Sequence, residues 1–204
     1  MLHYPSQRRE QKLRRSGFTV VAGLDEAGRG SWAGPLVAGA VILNLDTKIK
    51  GLADSKSLRA PVRQELFQKI IQQAAAWAVG IVASNDIDTL GLTAANILAM
   101  RLALKNLKVK PNYFLADGNI FKSETLDGEN IINGDRNVAS IAAASIVAKV
   151  TRDTMMDQLD EEFPQYGFKH HKGYGTNHHW QMLMEHGVCR IHRQSFEPIK
   201  NLVK

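Results

Sequence analysis

The chain has 204 residues, of which 44% are hydrophobic and 23% are charged. These values exclude the disordered and fibrous classes, and they leave room for one well-packed α/β core with an extension but not for two independent domains. The formal net charge of +6 favours a polyanionic partner, although a moderate excess of Lys and Arg also occurs in proteins that bind no nucleic acid.

The first apolar run, residues 18–24, predicts a buried strand that ends at two adjacent acids, Asp25 and Glu26. Acids at the end of a strand are typical of a cation site. Consecutive residues of a regular strand point to opposite faces, so both carboxylates can reach one ion only if the strand bulges or ends there. We therefore expect an irregularity at this position.

The acids are followed at once by Gly28, Arg29 and Gly30. A glycine-rich turn can bring backbone N–H groups and a guanidinium close to a phosphate. Arg29 could also be an ordinary solvated arginine, but a glycine on each side favours the functional interpretation because glycine costs conformational entropy. A second apolar strand over residues 35–43 predicts an antiparallel hairpin around this turn.

The middle of the chain predicts alternating helices and strands. A polar loop containing Lys56 comes first, and this lysine either contacts phosphate or caps the next helix. The pattern then predicts a helix from Pro61 to about residue 76, a strand over 77–84, and one long helix over 86–107.

Two more acids follow short apolar strands. The strand over 113–116 stops at Asp117, and the strand over 129–133 stops just before Asp135. Asp117 before Gly-Asn is also a common turn residue, and Asp135 is also a natural N-cap for the small-residue helix predicted from about residue 137. Both alternatives stay open at the level of sequence.

Strand ends meet at one edge of an α/β sheet, so the four acids Asp25, Glu26, Asp117 and Asp135 are predicted to converge. A ligand set made only of carboxylate oxygens selects Mg²⁺ or Mn²⁺ over zinc. Two such ions about 3.5–4 Å apart can activate a water and stabilise the departing oxygen of a phosphodiester. The chemistry indicated is phosphodiester hydrolysis.

The stretch over residues 170–179 contains four histidines, and Cys189 with His192 adds a Cys-x-x-His pair. Structural zinc is the weaker interpretation, because no tetrad of suitable spacing exists and adjacent histidines point apart. Tyr174 lies between two glycines in basic surroundings, which suits stacking on a sugar or base. The alternative is a core tyrosine under a loop.

Cys189 is the only cysteine, so no internal disulfide can form, and no apolar run approaches the ~20 residues that span a bilayer. The first residues lack the apolar segment of a secretory signal. We expect a cytoplasmic protein without a membrane partner. We also expect residues 1–17 to be a basic, partly flexible segment.

Seven motifs follow one another along the chain: GLDEAGRG from Gly23, DSK from Asp54, ADGN from Ala116, GD at Gly134, AASIVAKVTRD from Ala143, FPQYGF from Phe163 and HKGY from His171. In this order they resemble type 2 ribonuclease H, ribonuclease HII, of bacteria. The resemblance covers nearly the whole chain after about residue 18. Two departures are Ser31-Trp32, where the family usually has proline after its Gly-Arg-Gly, and Gly91, where it commonly has asparagine.

The resemblance implies a ribonuclease H-like fold, with a mixed central sheet flanked by helices. The catalytic core would span residues 18–163, and a C-terminal helical segment over 164–204 would pack on the core and contact the substrate. The implied activity is cleavage of RNA in RNA/DNA hybrids and incision 5′ of single ribonucleotides in duplex DNA, leaving 5′-phosphate and 3′-hydroxyl ends.

By position, the resemblance implies that the four acids are the metal carboxylates. It also implies that the Gly28–Gly30 turn reads the 2′-hydroxyl and adjoining phosphate and that Tyr174 packs on the sugar. No protein partner is evident, and a monomer is the default expectation.

Two other functions remain open. A non-catalytic module that binds RNA/DNA junctions would use the acids structurally and would respond to salt, whereas an enzyme would stop when its metal is chelated. A nucleotide-phosphate enzyme built on the glycine turn ranks last, because no P-loop or dinucleotide fingerprint surrounds that turn.

Overall fold

The computed structural model describes residues 4–45, 48–53, 55 and 58–203. Its strands are β1 (Val21–Ala27), β2 (Leu36–Ile42), β3 (Ala76–Val82), β4 (Tyr113–Asp117) and β5 (Gly128–Ile131). They form a central five-stranded mixed sheet with the strand order β3-β2-β1-β4-β5. β1 pairs antiparallel with β2 and parallel with β4, β2 pairs antiparallel with β3, and β4 pairs parallel with β5. The predicted α/β class with a mixed sheet is confirmed.

Helices cover both faces of the sheet. The long helix α6 (Ala139–Glu162) packs on β1 and β2, and α4 (Leu92–Asn106) packs on β2 and β3. The small residues of α6 allow a very close approach: a Cβ at Gly23 would lie 2.2 Å from the Ser140 carbonyl carbon, and one at Gly39 would lie 2.3 Å from the Ala144 oxygen. The helices are α1 (Arg8–Arg15), α2 (Ala60–Gln73), α3 (Ser84–Leu90), α4 (Leu92–Asn106), α5 (Gly134–Asn137), α6 (Ala139–Glu162), α7 (Phe168–His171) and α8 (Asn177–His186).

The single helix predicted over 86–107 is wrong, because the chain forms α3 and α4 with a break at Gly91. Gly91 adopts a φ of +78°, which stops α3, while its carbonyl accepts the Ala95 N–H and so starts α4. Asp88 anchors α3 to the C-terminal segment, because its carboxylate accepts hydrogen bonds from the backbone N–H groups of Gln194 and Ser195 at 2.8 and 2.9 Å.

Helix α1 occupies much of the segment for which partial flexibility is predicted. Glu10 is buried and accepts the Ser140 N–H at 2.8 Å, so it caps the first turn of α6. Arg9 forms an ion pair with Glu129 at the end of the sheet. These contacts tie α1 to the core, and the proposed boundary at residue 17 stays a prediction.

The C-terminal segment packs on the far end of α6. It contributes α7, α8 and a short 3₁₀ turn at Pro164–Tyr166, and it forms its own hydrophobic cluster beside the loop that follows β1. Among the described residues, no helix combines the length and the apolar character that crossing a membrane requires. The buried members of the cluster are Ala33, Met156, Tyr166, Phe168, Leu183, Ile191 and Ile199.

Candidate active site

The two adjacent acids lie on a regular strand. β1 continues to Ala27, with Asp25 opposite Gly39 and Glu26 opposite Ala38 in an uninterrupted antiparallel register. The predicted bulge or strand end at the acids is therefore wrong. The turn begins only after Ala27, so the glycines that follow shape the loop and not the strand.

Asp25 is buried near the C-terminal end of the central strand β1, where it takes part in a small hydrogen-bond network. Its Oδ1 accepts the Glu26 N–H at 2.7 Å, and its carboxylate also accepts a hydrogen bond from the Ser145 hydroxyl on α6. Ser145 Oγ lies 2.8 Å from Ser55 Oγ, so Ser55 donates to Ser145 when Ser145 donates to Asp25. Ser55 belongs to the same polar loop as Lys56, which lies outside the described residues.

The pKa of Asp25 is raised well above its usual value. Burial is the largest cause, and the charges of Glu26 and Asp117 raise the pKa further. Both neighbouring carboxylates therefore lie within electrostatic reach of Asp25. Strand pairing explains this proximity, because Leu24 of β1 is aligned with Ala116 of β4 and the next residue of each strand is an acid.

Asp117 connects β4 to the fourth acid. Its Oδ1 accepts the Gly134 N–H at 2.7 Å, which brings the start of α5 to the end of β4. Asp135 is the next residue and is 5% exposed. It lies inside α5, whose N-cap is Asn133, while Val138 is the N-cap of α6, so the alternative in which Asp135 is an N-cap is wrong.

The donor set fits a hard divalent cation. Asp25 is buried beside two further carboxylates, and a divalent ion would offset both the burial and the repulsion. Across the described residues, however, no three His, Cys, Asp or Glu side chains are already grouped in a way that could hold a metal ion. Glu26 Oε1 instead lies 3.8 Å from Arg29 Nη1.

The loop after β1, residues 28–35, contains the Gly28–Gly30 turn to which the family resemblance assigns substrate contact, and it is named the substrate loop for that expectation. Gly28 has a φ of +90°, and a Cβ at this position would lie 1.9 Å from Arg152 Nε. Ser31 is buried, and its hydroxyl donates to the Gly28 carbonyl at 3.1 Å, so this departure from the family pattern closes the turn. The Arg29 side chain is about half exposed, whereas at Gly30 no described atom lies within 4 Å of an added Cβ.

Two arginines that the sequence analysis missed hold the substrate loop from below. Arg152 and Arg193 are fully buried, and within the described part of the chain neither guanidinium pairs with a carboxylate. Arg152 donates to the carbonyls of Ala33, Pro35 and Lys172, and Arg193 donates to those of Arg29 and Gly34, over distances of 2.9–3.2 Å. Burial lowers the pKa of both guanidiniums. Two positive charges thus lie beneath the loop.

Tyr174 lies beside the substrate loop and is half-buried. Lys149 Nζ and the Arg152 guanidinium lie 5.3 and 5.2 Å from the centre of its ring. The carbonyl of Gly173 accepts the Trp32 N–H at 2.8 Å, which joins the two loops. The ring therefore lies beside two cationic side chains, one of which, Arg152, also lies against Gly28.

The histidines of the C-terminal segment form a buried aromatic cluster. His171, His179 and His192 are less than 9% exposed, and their ring nitrogens contact backbone groups, Cys189 or one another. Burial lowers the pKa of His179 to about 3 and that of His192 to about 4. The neutral rings therefore take part in a hydrogen-bond network that stabilises the fold of the C-terminal segment.

This cluster predicts loss of stability in mild acid. An unfolded imidazole binds a proton near pH 6.5, and the folded rings do so only near pH 3–4, so the unfolded state gains protons first as the pH falls. Stability should be complete above about pH 6.5 and decline below it. Between pH 7 and pH 5 we expect the melting temperature to fall by about 5 °C or more.

Thermal melts of two variants test whether the buried histidines cause this loss of stability in acid. His192→Gln should flatten the dependence of melting temperature on pH, whereas His170→Gln, at an exposed position, should leave it as in the unmodified protein. Equal slopes for all three proteins would contradict the assignment to the buried rings.

The family model described as Ribonuclease HII matches residues 22–199. A curated relative called Ribonuclease HII from Acidothermus cellulolyticus is 49% identical over 95% of this chain and 64% of its own length. The relative from Bacillus licheniformis is 47% identical over 94% of this chain and 74% of its own. The relative from Aliivibrio salmonicida is 46% identical, with 92% of this chain and 90% of that protein covered.

The fold is similar to that of solved ribonucleases H. The crystal structure of ribonuclease H2 from Pyrococcus horikoshii matches with a TM-score of 0.75 and 27% identity, covering 90% of this chain and 97% of that one. A ribonuclease HIII solved in complex with Mn²⁺ matches with a TM-score of 0.66 and 19% identity over 90% of this chain and 68% of that one, and shows the fold alone. The predicted ribonuclease H-like fold is thereby confirmed.

Proposed function

This chain belongs to the ribonuclease HII family of endonucleases, and on that premise we propose that it hydrolyses the RNA strand of RNA/DNA hybrids and incises 5′ of single ribonucleotides in duplex DNA. The observation that supports this most directly is the electrostatic effect of Glu26 and Asp117 on the buried Asp25 where β1 and β4 lie side by side, next to a loop that rests on two buried cations. The products would carry 5′-phosphate and 3′-hydroxyl ends.

In this proposal Asp25, Glu26, Asp117 and Asp135 hold two Mg²⁺ or Mn²⁺ ions. Because the regular strand directs Asp25 and Glu26 to opposite faces, these two carboxylates are assigned to different ions. When bound, the cation supplies activation of the attacking water and neutralises charge at the phosphate. Asp25 is kept in place by Ser145 and the Glu26 amide, and Asp117 by the Gly134 amide, so two of the ligands are fixed before any ion arrives. Glu26 would exchange its contact with Arg29 for the ion.

The substrate loop would read the ribonucleotide. The 2′-hydroxyl is the only group that distinguishes RNA from DNA at one nucleotide, and the backbone of Gly28 and Gly30 can approach it without side-chain obstruction. Arg29, about half exposed, would contact the adjoining phosphate, and Tyr174 would pack on the sugar. A contact from Lys56 stays a sequence prediction, as do the cytoplasmic location, the monomeric state and the lack of a protein partner.

A metal-removal experiment separates this enzyme from a non-catalytic junction binder. A labelled DNA duplex with one ribonucleotide is incubated with the protein and Mg²⁺ or Mn²⁺, with and without EDTA, and the product is mapped to the nucleotide. We expect one nick 5′ of the ribonucleotide that EDTA abolishes, with no cleavage of the all-DNA duplex. Binding that is sensitive to salt but never produces a nick would favour the binder.

A further inference from the structure

Two buried histidines form an end-to-end pair whose proton positions follow from their neighbours. The Cys189 N–H donates to His192 Nδ1 over 2.9 Å, a shorter contact than the 3.3 Å from the same nitrogen to the Cys189 carbonyl, so we assign the His192 proton to Nε2. His192 Nε2–H donates to His179 Nε2 at 3.1 Å, which leaves the His179 proton on Nδ1. His179 Nδ1–H then donates to the carbonyl of Tyr174 at 3.0 Å. These three hydrogen bonds, which lead from the Cys189 amide through His192 and His179 to the Tyr174 carbonyl, are named the histidine relay, and all of them donate in the same direction.

The relay operates only with both rings neutral. A proton added to His179 would place two N–H groups against each other across the 3.1 Å contact. His179 and His192 are 0% and 1% exposed, and burial favours the uncharged form of each. The Tyr174 carbonyl therefore has a constant donor at neutral pH.

His171 fixes the other side of Tyr174. The Gly173 N–H donates to His171 Nδ1 at 3.2 Å, and the Tyr174 N–H donates to the His171 carbonyl at 2.9 Å. The His171 ring stacks on the ring of His179 with centroids 4.4 Å apart. The backbone is thus held by imidazoles on both sides, while the half-buried phenol ring extends toward Lys149 and Arg152.

The backbone next to Tyr174 is also bonded directly to the substrate loop. Gly173 accepts hydrogen bonds from the N–H groups of Trp32 and Ala33 at 2.8 and 3.3 Å, so the two loops share one anchor. A shift of the Tyr174 peptide would displace its ring from the Gly28–Gly30 turn. Small displacements of a positioning group can cost up to about a hundredfold in rate.

We propose that His179 and His192 are positioning residues that hold Tyr174 in register with the substrate loop and thereby set the preference for a single ribonucleotide over a continuous hybrid. The inference rests on the proposed function, in which Tyr174 contacts the ribose. A single ribonucleotide offers one productive register, whereas a continuous hybrid offers one at each nucleotide. A loosely held Tyr174 therefore harms cleavage of the single site more.

The first test compares two substitutions at one position. His179→Leu removes the donor to the Tyr174 carbonyl, while His179→Asn keeps an N–H near the position of Nδ1. For His179→Leu we expect the ratio of kcat/KM on a one-ribonucleotide duplex to kcat/KM on a uniform hybrid to fall roughly tenfold, mainly through KM. His179→Asn should recover most of the ratio. His170→Leu, the same change at an exposed histidine, should not alter it.

A double-mutant cycle with Tyr174→Ala distinguishes positioning from general support of the fold. If His179 acts through Tyr174, His179→Leu should leave the ratio unchanged in the Tyr174→Ala background. An independent effect there, or no effect of His179→Leu alone, overturns the inference. Circular dichroism checks that each variant is folded, and His192→Leu carries the same expectation should His179→Leu not fold. Unmodified protein that never nicks the ribonucleotide overturns the proposed function itself.

Discussion

Asp117→Asn is expected to reduce cleavage of a one-ribonucleotide duplex by on the order of a thousandfold while leaving duplex binding intact. The substitution keeps an Oδ1 that can accept the Gly134 N–H, now at 2.7 Å, so the contact between β4 and α5 survives. It removes one negative charge from a group of acids that would hold the cation. Single-turnover cleavage in Mg²⁺ and Mn²⁺ gives the rate, and fluorescence anisotropy in EDTA gives the affinity.

The stability of the same variant supplies an independent check. The charge of Asp117 is one cause of the raised pKa of Asp25, so removing it relieves repulsion on a buried carboxylate. We therefore expect an unchanged or higher melting temperature at pH 7 in the absence of metal. Asp86→Asn, at an exposed position of α3, should change neither cleavage nor melting. Turnover of Asp117→Asn at the rate of the unmodified protein would remove Asp117 from the metal site.

The mixed sheet, and the places of Asp117 and Asp135 after short strands, could be predicted from the sequence because each depends on local patterns. Apolar runs that stop at Asp117 and just before Asp135 mark strand ends, and parallel pairing of β1 with β4 brings such ends together. The break between α3 and α4 at Gly91 could not be predicted from local patterns. Apolar spacing continues through the glycine. The hydrogen bonds that Asp88 accepts from the backbone of residues 194 and 195, which anchor α3 separately from α4, are evident only in the structure.

Arg152 and Arg193, the two arginines beneath the substrate loop, were not identified from the sequence for a different reason. Arginine is rarely buried without a carboxylate, so the expectation from composition is an exposed Arg152 and Arg193. Their partners are carbonyls far away in the chain, which no periodicity reports. One signal was present for Arg152, because Ser145, Ala148, Arg152 and Met156 recur at helical spacing on one stripe of α6, and all four are buried. A charged residue in such a stripe merits a functional interpretation.

Gly28→Ala is expected to lower kcat/KM on the one-ribonucleotide duplex by roughly ten- to a hundredfold. The new Cβ would stand 1.9 Å from Nε and 2.5 Å from Cδ of Arg152. Arg152 cannot easily move aside, since its guanidinium nitrogens already donate to Ala33, Pro35 and Lys172. The methyl group therefore displaces either the substrate loop or the guanidinium that lies beside Tyr174.

Backbone strain at a φ of +90° contributes as well, and Gly17→Ala separates the two effects. Gly17 has a φ of +95°, but no described atom lies within 4 Å of its added Cβ. Both variants should lose on the order of 1 kcal/mol of unfolding free energy from strain, and Gly28→Ala should lose a further ~1–3 kcal/mol from overpacking. Only Gly28→Ala should lose activity at temperatures where both proteins are folded. Because the clash involves Arg152, equal activity of the two variants would mean that the arginine beneath the substrate loop does not govern how the loop meets the ribonucleotide.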